Sequence, residues 1–244
     1  MKRGLNAHAA WLAPYLTVVR PPGPGPFPVV AQMHGCSGCG PVQTIYAQAA
    51  CEAGIAAVII DSFAPRGIGL AQATLTVCSG LRLRGGERAQ DLTATLAWLK
   101  GQSWADRDQV AAAGWSHGGW SLMEAMVAGS PETARLKLAA LFYPYAGPGA
   151  RTAANGWGPA KPGVIGFLAG RDRVVGRTAP RRALTRLETD GLQVSLNEFA
   201  DATHGFDDPF AHDPRIIYRP DLAASAQRDY LRALTLAFAP PASE

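Results

Sequence analysis

Residues Gly114-Trp-Ser-His-Gly118 match the pattern G-x-S-x-G. An apolar run beginning at Val110 leads into them, and an amphipathic segment over residues 120–128 follows. Strand, sharp turn and helix are the setting that presents a serine hydroxyl as a nucleophile. A residue forced onto so tight a turn has strained backbone angles and needs small neighbours. Gly114, Gly118 and Gly119 supply that room. A helix start beneath the serine also points backbone N–H groups toward a developing oxyanion.

A serine hydroxyl needs a base to take its proton, and the base needs an acid to orient it. In hydrolases with this elbow the chain order is serine, then acid, then histidine. His34 precedes the serine, and His117 is pointed away from the hydroxyl by the elbow itself. His204, between Thr203 and Gly205 in a polar loop after the last strand, is therefore the base. His8 and His212 read as surface residues. Asp172 is the acid, because Gly170-Arg171-Asp172 ends a buried strand at the sheet edge where such sites are built. A helix-capping aspartate is its plainer reading. Asp201 and Asp207 are rivals that sit close to His204 in sequence and shape its loop.

His34-Gly-Cys-Ser-Gly38, at the end of an early strand, is where a second oxyanion donor is expected. The N–H groups of Cys36 and His117 are the expected pair. The competing reading makes Cys36 the nucleophile, but it lacks the strand–turn–helix presentation. Arg66 lies in a turn set by Pro65 and Gly67. It either faces substrate or binds loop carbonyls as a structural arginine. Tyr143 and Tyr145, at the end of another strand, are placed on the apolar side of the pocket.

The elements that must position these groups follow from hydrophobic periodicity and punctuation. Strands are expected at residues 15–20, 29–33, 55–60, 110–114, 136–142, 163–169 and 192–199. Helices are expected at 41–54, 87–100, 120–128, 178–190 and 221–238. The proline-rich run 21–28 reads as a stiff turn outside the sheet, and 68–83 as a long irregular loop. Alternating strands and helices predict a three-layer α/β fold with a mostly parallel central sheet flanked by helices. No repeat or linker divides the chain, so residues 1–244 read as one domain.

Composition narrows the function. The formal charge of +4 comes from scattered arginines, without a basic run or basic–aromatic interleaving, which argues against nucleic acid as partner. No apolar stretch approaches a membrane span. The apolar segment at 9–16, broken by Pro14, is short for a signal-peptide core, so a cytoplasmic location is expected, or a periplasmic or secreted one if a leader has been removed. Of four cysteines, Cys36 and Cys39 form a lone C-x-x-C without a second pair, so neither a metal nor another cofactor is expected. Cys51 reads as a small core residue, and whether any of Cys36, Cys39, Cys51 and Cys78 pair is left open.

Taken in order, His34-Gly-Cys-Ser-Gly38, Asp61-Ser-Phe-Ala-Pro-Arg66, Gly114-Trp-Ser-His-Gly118, Gly170-Arg-Asp172 and Thr203-His-Gly-Phe206 resemble the dienelactone hydrolase family of the α/β-hydrolase fold, over roughly residues 15–237. The resemblance implies cleavage of esters or lactones through Ser116, Asp172 and His204. Two departures stand out. The family's namesakes use a cysteine nucleophile where this chain has serine. They also hold a substrate carboxylate with two arginines; Arg66 matches the first, but Phe206-Asp207-Asp208 occupies the second position, where acidic groups would repel a carboxylate. The expected substrate is therefore a small neutral ester. A peptidase or thioesterase on the same residues, or a non-catalytic binding protein, are the alternatives.

Overall fold

The computed structural model describes residues 3–152 and 157–240. A seven-stranded sheet runs in the order β1-β3-β2-β4-β5-β6-β7. Its strands are β1 (Leu16–Val19), β2 (Phe27–Met33), β3 (Ala56–Ile60), β4 (Ala105–Trp115), β5 (Leu136–Phe142), β6 (Gly163–Ala169) and β7 (Val194–Phe199). Only the edge strand β1 runs antiparallel to its neighbour; β2 through β7 pair in parallel. The helices among the described residues are α1 (Leu5–Leu12), α2 (Pro41–Glu52), α3 (Leu70–Thr76), α4 (Gly85–Leu99), α5 (His117–Ala128), α6 (Thr178–Thr189) and α7 (Pro220–Phe238). This is an α/β-hydrolase fold.

The strands are apolar on both faces because helices cover both sides of a parallel sheet. Alternate residues feed two separate cores. Val29, Ala31 and Met33 of β2 join Leu12, Leu92, Leu122 and Leu184 from α1, α4, α5 and α6. Val30 faces the opposite way, toward Val42, Tyr46 and Tyr230 of α2 and α7. At the carboxyl ends of the central strands, Trp115, Phe142 and Phe167 stack across β4, β5 and β6, with centroids 4.6 and 4.3 Å apart. Tyr46 packs edge-on against this stack. The rings lock together the ends of the strands from which the next residue, Ser116, turns.

Three local expectations are corrected, and a helix not expected from the sequence is added. Phe27 and Pro28 belong to β2: Phe27 donates its N–H to the Trp104 carbonyl at 2.8 Å, and Pro28 falls at a register shift, where a missing donor is tolerated. Residues 5–12 form α1, which packs on α4. His8 is consequently buried rather than a surface residue, and bonds Asp91 at 2.7 Å. The segment 68–83, read as irregular, contains α3, whose Ala73 joins Phe63, Ile68, Val77 and Leu83 in a small satellite core. A helix of 7 residues gives too little periodicity to be read from the sequence alone.

A disulfide joins Cys36 to Cys78 across 42 residues, while Cys39 and Cys51 are free. It ties the loop after β2 to the segment that follows α3. A cross-link closing a loop of this length contributes about 2–4 kcal/mol, mainly by restricting the unfolded chain. Cys78→Ser should therefore lower the unfolding free energy by about that amount in guanidinium titration, and reductant should bring the wild type to the same value. Identical transitions with and without reductant would show that the bridge contributes nothing.

Candidate active site

β4 ends at Trp115 and α5 begins at His117, leaving Ser116 alone to make the turn. Its backbone has φ +52° and ψ −112°, a strained conformation for a residue with a side chain. Three hydrogen bonds hold it there. The Ser116 N–H donates to the Phe142 carbonyl at 2.9 Å, and its own carbonyl accepts from Trp120 and Tyr145, each at 3.1 Å. The crossing is close enough to exclude other residues beside it. A Cβ on Gly114 would lie 2.5 Å from the Gly118 backbone, and one on Gly118 would lie 2.1 Å from the Met33 carbonyl oxygen.

The three expected chemical groups meet at this turn. Ser116 Oγ lies 2.9 Å from His204 Nε2, and His204 Nδ1 lies 2.7 Å from Asp172 Oδ2. All three residues are buried. Asp172 Oδ1 accepts the N–H groups of Val174 and Val175 at 2.8 and 3.0 Å, so one carboxylate both caps its own turn and holds the imidazole. The turns carrying Asp172 and His204 are knitted together, with the Arg171 N–H donating to the Ala202 carbonyl at 2.8 Å. Asp201 faces away from the ring and pairs with Arg171 at the surface.

Asp207 is buried beneath the histidine loop. It accepts hydrogen bonds from the Tyr143 hydroxyl at 2.7 Å and from Trp115 Nε1 at 3.2 Å. Burial raises its carboxyl above the ordinary range, against the pull of those two donors. Tyr143, expected to line the pocket, instead lies buried behind His204, its ring edge-on at 4.6 Å. Tyr145 donates its hydroxyl to the Pro148 carbonyl at 2.9 Å and lays its ring on Trp120.

Arg66 is likewise directed elsewhere. Its guanidinium forks onto both oxygens of the buried Asp91 at 2.8 and 2.9 Å and onto the Ser62 carbonyl at 2.7 Å. Burial pushes the Asp91 carboxyl up, but hydrogen bonds from His8 and Arg66 hold it below the usual carboxylate range. The arginine thus completes a buried charge cluster, the structural one of its two expected roles.

The loop after β2 passes directly over the serine, since a Cβ on Gly35 would lie 3.7 Å from Ser116 Cβ. Cys36 is therefore beside the site, but its sulfur is in the disulfide and supplies no thiolate. His117 turns its ring away from the hydroxyl, toward Arg88. Arg88 was hidden in the sequence as one more charge on a helix, although it falls on the same stripe as Leu92 and Leu99. A charge on an apolar stripe is the signal that marks it.

Metal-ligating atoms of His34, Cys39 and Asp61 come within 4.8 Å of one another. The donor set is poorly suited to an ion. His34 Nδ1 is engaged by the Gly35 carbonyl and its Nε2 by the Ser62 N–H, while Asp61 Oδ1 takes two backbone N–H groups.

Serine on a strand–turn–helix, with aspartate and histidine from later strand ends, is the arrangement of an α/β-hydrolase with a serine nucleophile. The dienelactone hydrolase family model matches residues 16–238, and the chain belongs to that family of hydrolases. No curated protein matches the sequence. Among solved structures it is similar to a dienelactone hydrolase-like promiscuous phosphotriesterase from metagenomic libraries, at 18% identity and TM-score 0.71 over 92% of this chain and 100% of that one. It is also similar to esterase 2 of Thermogutta terrifontis with propionate bound, at 17% identity and TM-score 0.65 over 92% and 90% of the two chains. An esterase of the fungus Rhizomucor miehei matches at 17% identity and TM-score 0.68, over 91% and 79%.

Two predictions follow from the buried charges. Arg66→Met leaves Asp91 buried with His8 as its remaining partner, so it should cost about 3 kcal/mol of stability. The loss should appear as a lower melting temperature, with neutral and acidic substrates affected alike; a KM rise confined to acidic substrates would restore Arg66 as a substrate group. The second concerns pH. Burial, and then the charge of Arg88, hold the His34 and His117 rings well below the ordinary histidine value. The unfolded chain takes up these protons near pH ~6.5, the folded chain only at lower pH. Stability contributed by the neutral rings is thus present above pH ~6.5 and falls below it, by up to ~1.4 kcal/mol per pH unit for each ring. His117→Asn should make the dependence shallower in denaturant titrations between pH 7.5 and 5; an unchanged slope would show that His117 does not contribute.

Proposed function

We propose that the protein is a serine esterase that cleaves carboxylic esters through an acyl-enzyme. The observation that supports this reading is the unbroken chain of hydrogen bonds from Ser116 Oγ through His204 to Asp172. In the proposed reaction Ser116 Oγ attacks the ester carbonyl as His204 Nε2 takes its proton. The tetrahedral oxyanion accepts hydrogen bonds from the N–H groups of Cys36 and His117. His204 then returns the proton to the departing alcohol, leaving an acyl-serine. Water, deprotonated by His204, attacks that acyl group, and collapse of the second tetrahedral intermediate releases the acid and restores Ser116. Asp172 holds the imidazole in the tautomer that keeps Nε2 free to accept. No cofactor enters this scheme.

A neutral ester suits the site better than a carboxylate-bearing lactone. Arg66, the candidate for binding a substrate carboxylate, is committed to Asp91, and Asp207 is buried beneath the histidine loop. The partner is accordingly a small molecule. For cellular location, the Cys36–Cys78 bridge supports an oxidising compartment, the second of the two settings the sequence leaves open.

The test combines a fluorophosphonate probe with p-nitrophenyl esters of graded acyl length. The wild type should be labelled at Ser116 and should turn over at least one ester. Ser116→Ala or His204→Ala should lower kcat by about 10⁴–10⁶ with little change in stability. Asp172→Asn should lower it by about 10⁴ through the wrong imidazole tautomer. An unlabelled, inactive wild type would sink the esterase reading in favour of a binding protein. A near-normal Asp172→Asn beside a dead Asp201→Asn would move the acid.

A further inference from the structure

We propose that Arg88 is a positioning residue for the oxyanion hole, tying together the two loops that carry its donors and setting a buried positive charge beneath them. The inference rests on the serine-esterase reading and adds a residue that the serine, histidine and aspartate do not touch.

Arg88 projects from the first turns of α4 and is fully buried. A buried guanidinium ordinarily takes a carboxylate, because the desolvation of an unpaired charge is large. Arg88 instead gives Nη2 to the His34 carbonyl at 2.8 Å and Nη1 to His117 Nδ1 at 3.0 Å. Asp91, one turn further along the same helix, is already taken by Arg66 and His8. Burial pushes the Arg88 guanidinium down to about 10, which leaves it charged at neutral pH.

One partner of Arg88, His117, is an expected oxyanion donor, and the other, His34, opens the loop that carries the second donor, Cys36. The His34 ring finishes the work that Arg88 begins. His34 Nδ1–H donates to the Gly35 carbonyl at 2.6 Å, while its Nε2 accepts the Ser62 N–H at 3.2 Å. In a trans peptide the carbonyl and the following N–H point in opposite directions. Holding the Gly35 oxygen therefore fixes the direction of the Cys36 N–H. On the other side, the Arg88 bond to Nδ1 sets the ring of His117, whose N–H begins α5 directly after Ser116. The two loops touch here, since a Cβ on Gly118 would lie 2.7 Å from the His34 carbonyl oxygen. One guanidinium thus spans the seam between them.

The charge matters as well as the geometry. Negative charge grows on the carbonyl oxygen in the transition state, and a fixed cation in a water-excluded site attracts it more strongly than it attracts the neutral ester. The expected signature is a loss in kcat with little change in KM.

The experiment uses the full chain, with active sites counted by end-point titration with a fluorophosphonate. It compares Arg88→Gln, Arg88→Lys, His117→Leu and His117→Asn on the best p-nitrophenyl ester. Inhibition by an aryl trifluoromethyl ketone is measured in parallel, since its hemiketal oxygen occupies the oxyanion hole. Arg88→Gln should lose about 10² in kcat per titrated site at nearly constant KM, with ketone affinity falling by the same factor as kcat/KM. Arg88→Lys should recover part of the loss. His117→Leu should lose about 10-fold, and His117→Asn, whose amide oxygen takes the place of Nδ1, should recover it. Wild-type kcat per titrated site in Arg88→Gln, whatever its melting temperature, would overturn the proposal. Should Arg88→Gln fail to fold, wild-type values in Arg88→Lys and His117→Leu together would overturn it. An inactive, unlabelled wild type would instead overturn the esterase reading itself.

Discussion

The backbone of Ser116 is the constraint on which the site depends. A residue with a side chain held at φ +52° costs on the order of 1–3 kcal/mol, and the surrounding structure must over-determine it. Its hydrogen bonds with Phe142, Trp120 and Tyr145 do so, and the stacked Trp115, Phe142 and Phe167 rings hold together the ends of the strands it follows. The glycines at 114 and 118 follow from the same demand, because strand and helix cross where no Cβ fits. The result is a serine backbone fixed in place, the preorganisation that the proposed attack on an ester carbonyl would need.

Around that turn the protein buries several titratable groups and separates them by partner. Asp172 and Asp207 both lie near His204, yet they do different things. Asp172 receives backbone N–H groups on one oxygen and the imidazole on the other. Asp207 receives a tyrosine hydroxyl and an indole N–H, which join the histidine loop to the ends of β4 and β5. Arg66, Asp91 and His8 form a second cluster that fastens α1 and the loop after β3 to α4. Arg88 stands between this cluster and the serine. Most of their hydrogen-bonding atoms are met by specific neighbours in a medium that penalises unmet ones; Arg88 Nε and the Nε2 of its partner His117 are buried without a partner.

The side of the site formed by the loop after β2 is built from distant pieces. The loop after β2 supplies Gly35 and Cys36, and the disulfide brings the segment after α3 against it. α3 itself contributes few buried residues, and its Leu75 stands exposed. The bridge supplies an anchorage that so short a helix cannot obtain by packing alone.

The sequence by itself determined the alternation of strands and helices, the turn at Ser116 and the chain order of serine, aspartate and histidine. These are local properties: apolar periods of two and of three to four residues, glycines where backbones cross, and polar residues at strand ends. It also separated β6 from β7 and so placed Asp172 and His204 after successive strands; that these strands lie side by side in the sheet is the structure's doing. The tertiary structure decided which buried groups meet. Asp91 pairs with Arg66 across 25 positions and with His8 across 83; Asp207 meets Tyr143 across 64 and Trp115 across 92. Such pairings depend on which faces pack together, and no short-range pattern encodes them. The same holds for Cys36 with Cys78 and for Tyr143, whose place in the chain fits a pocket wall equally well. Arg88 lies between the two cases: its position on an apolar stripe marks it as buried, but only the packing of α4 against α5 and β2 reveals that it bridges His34 and His117.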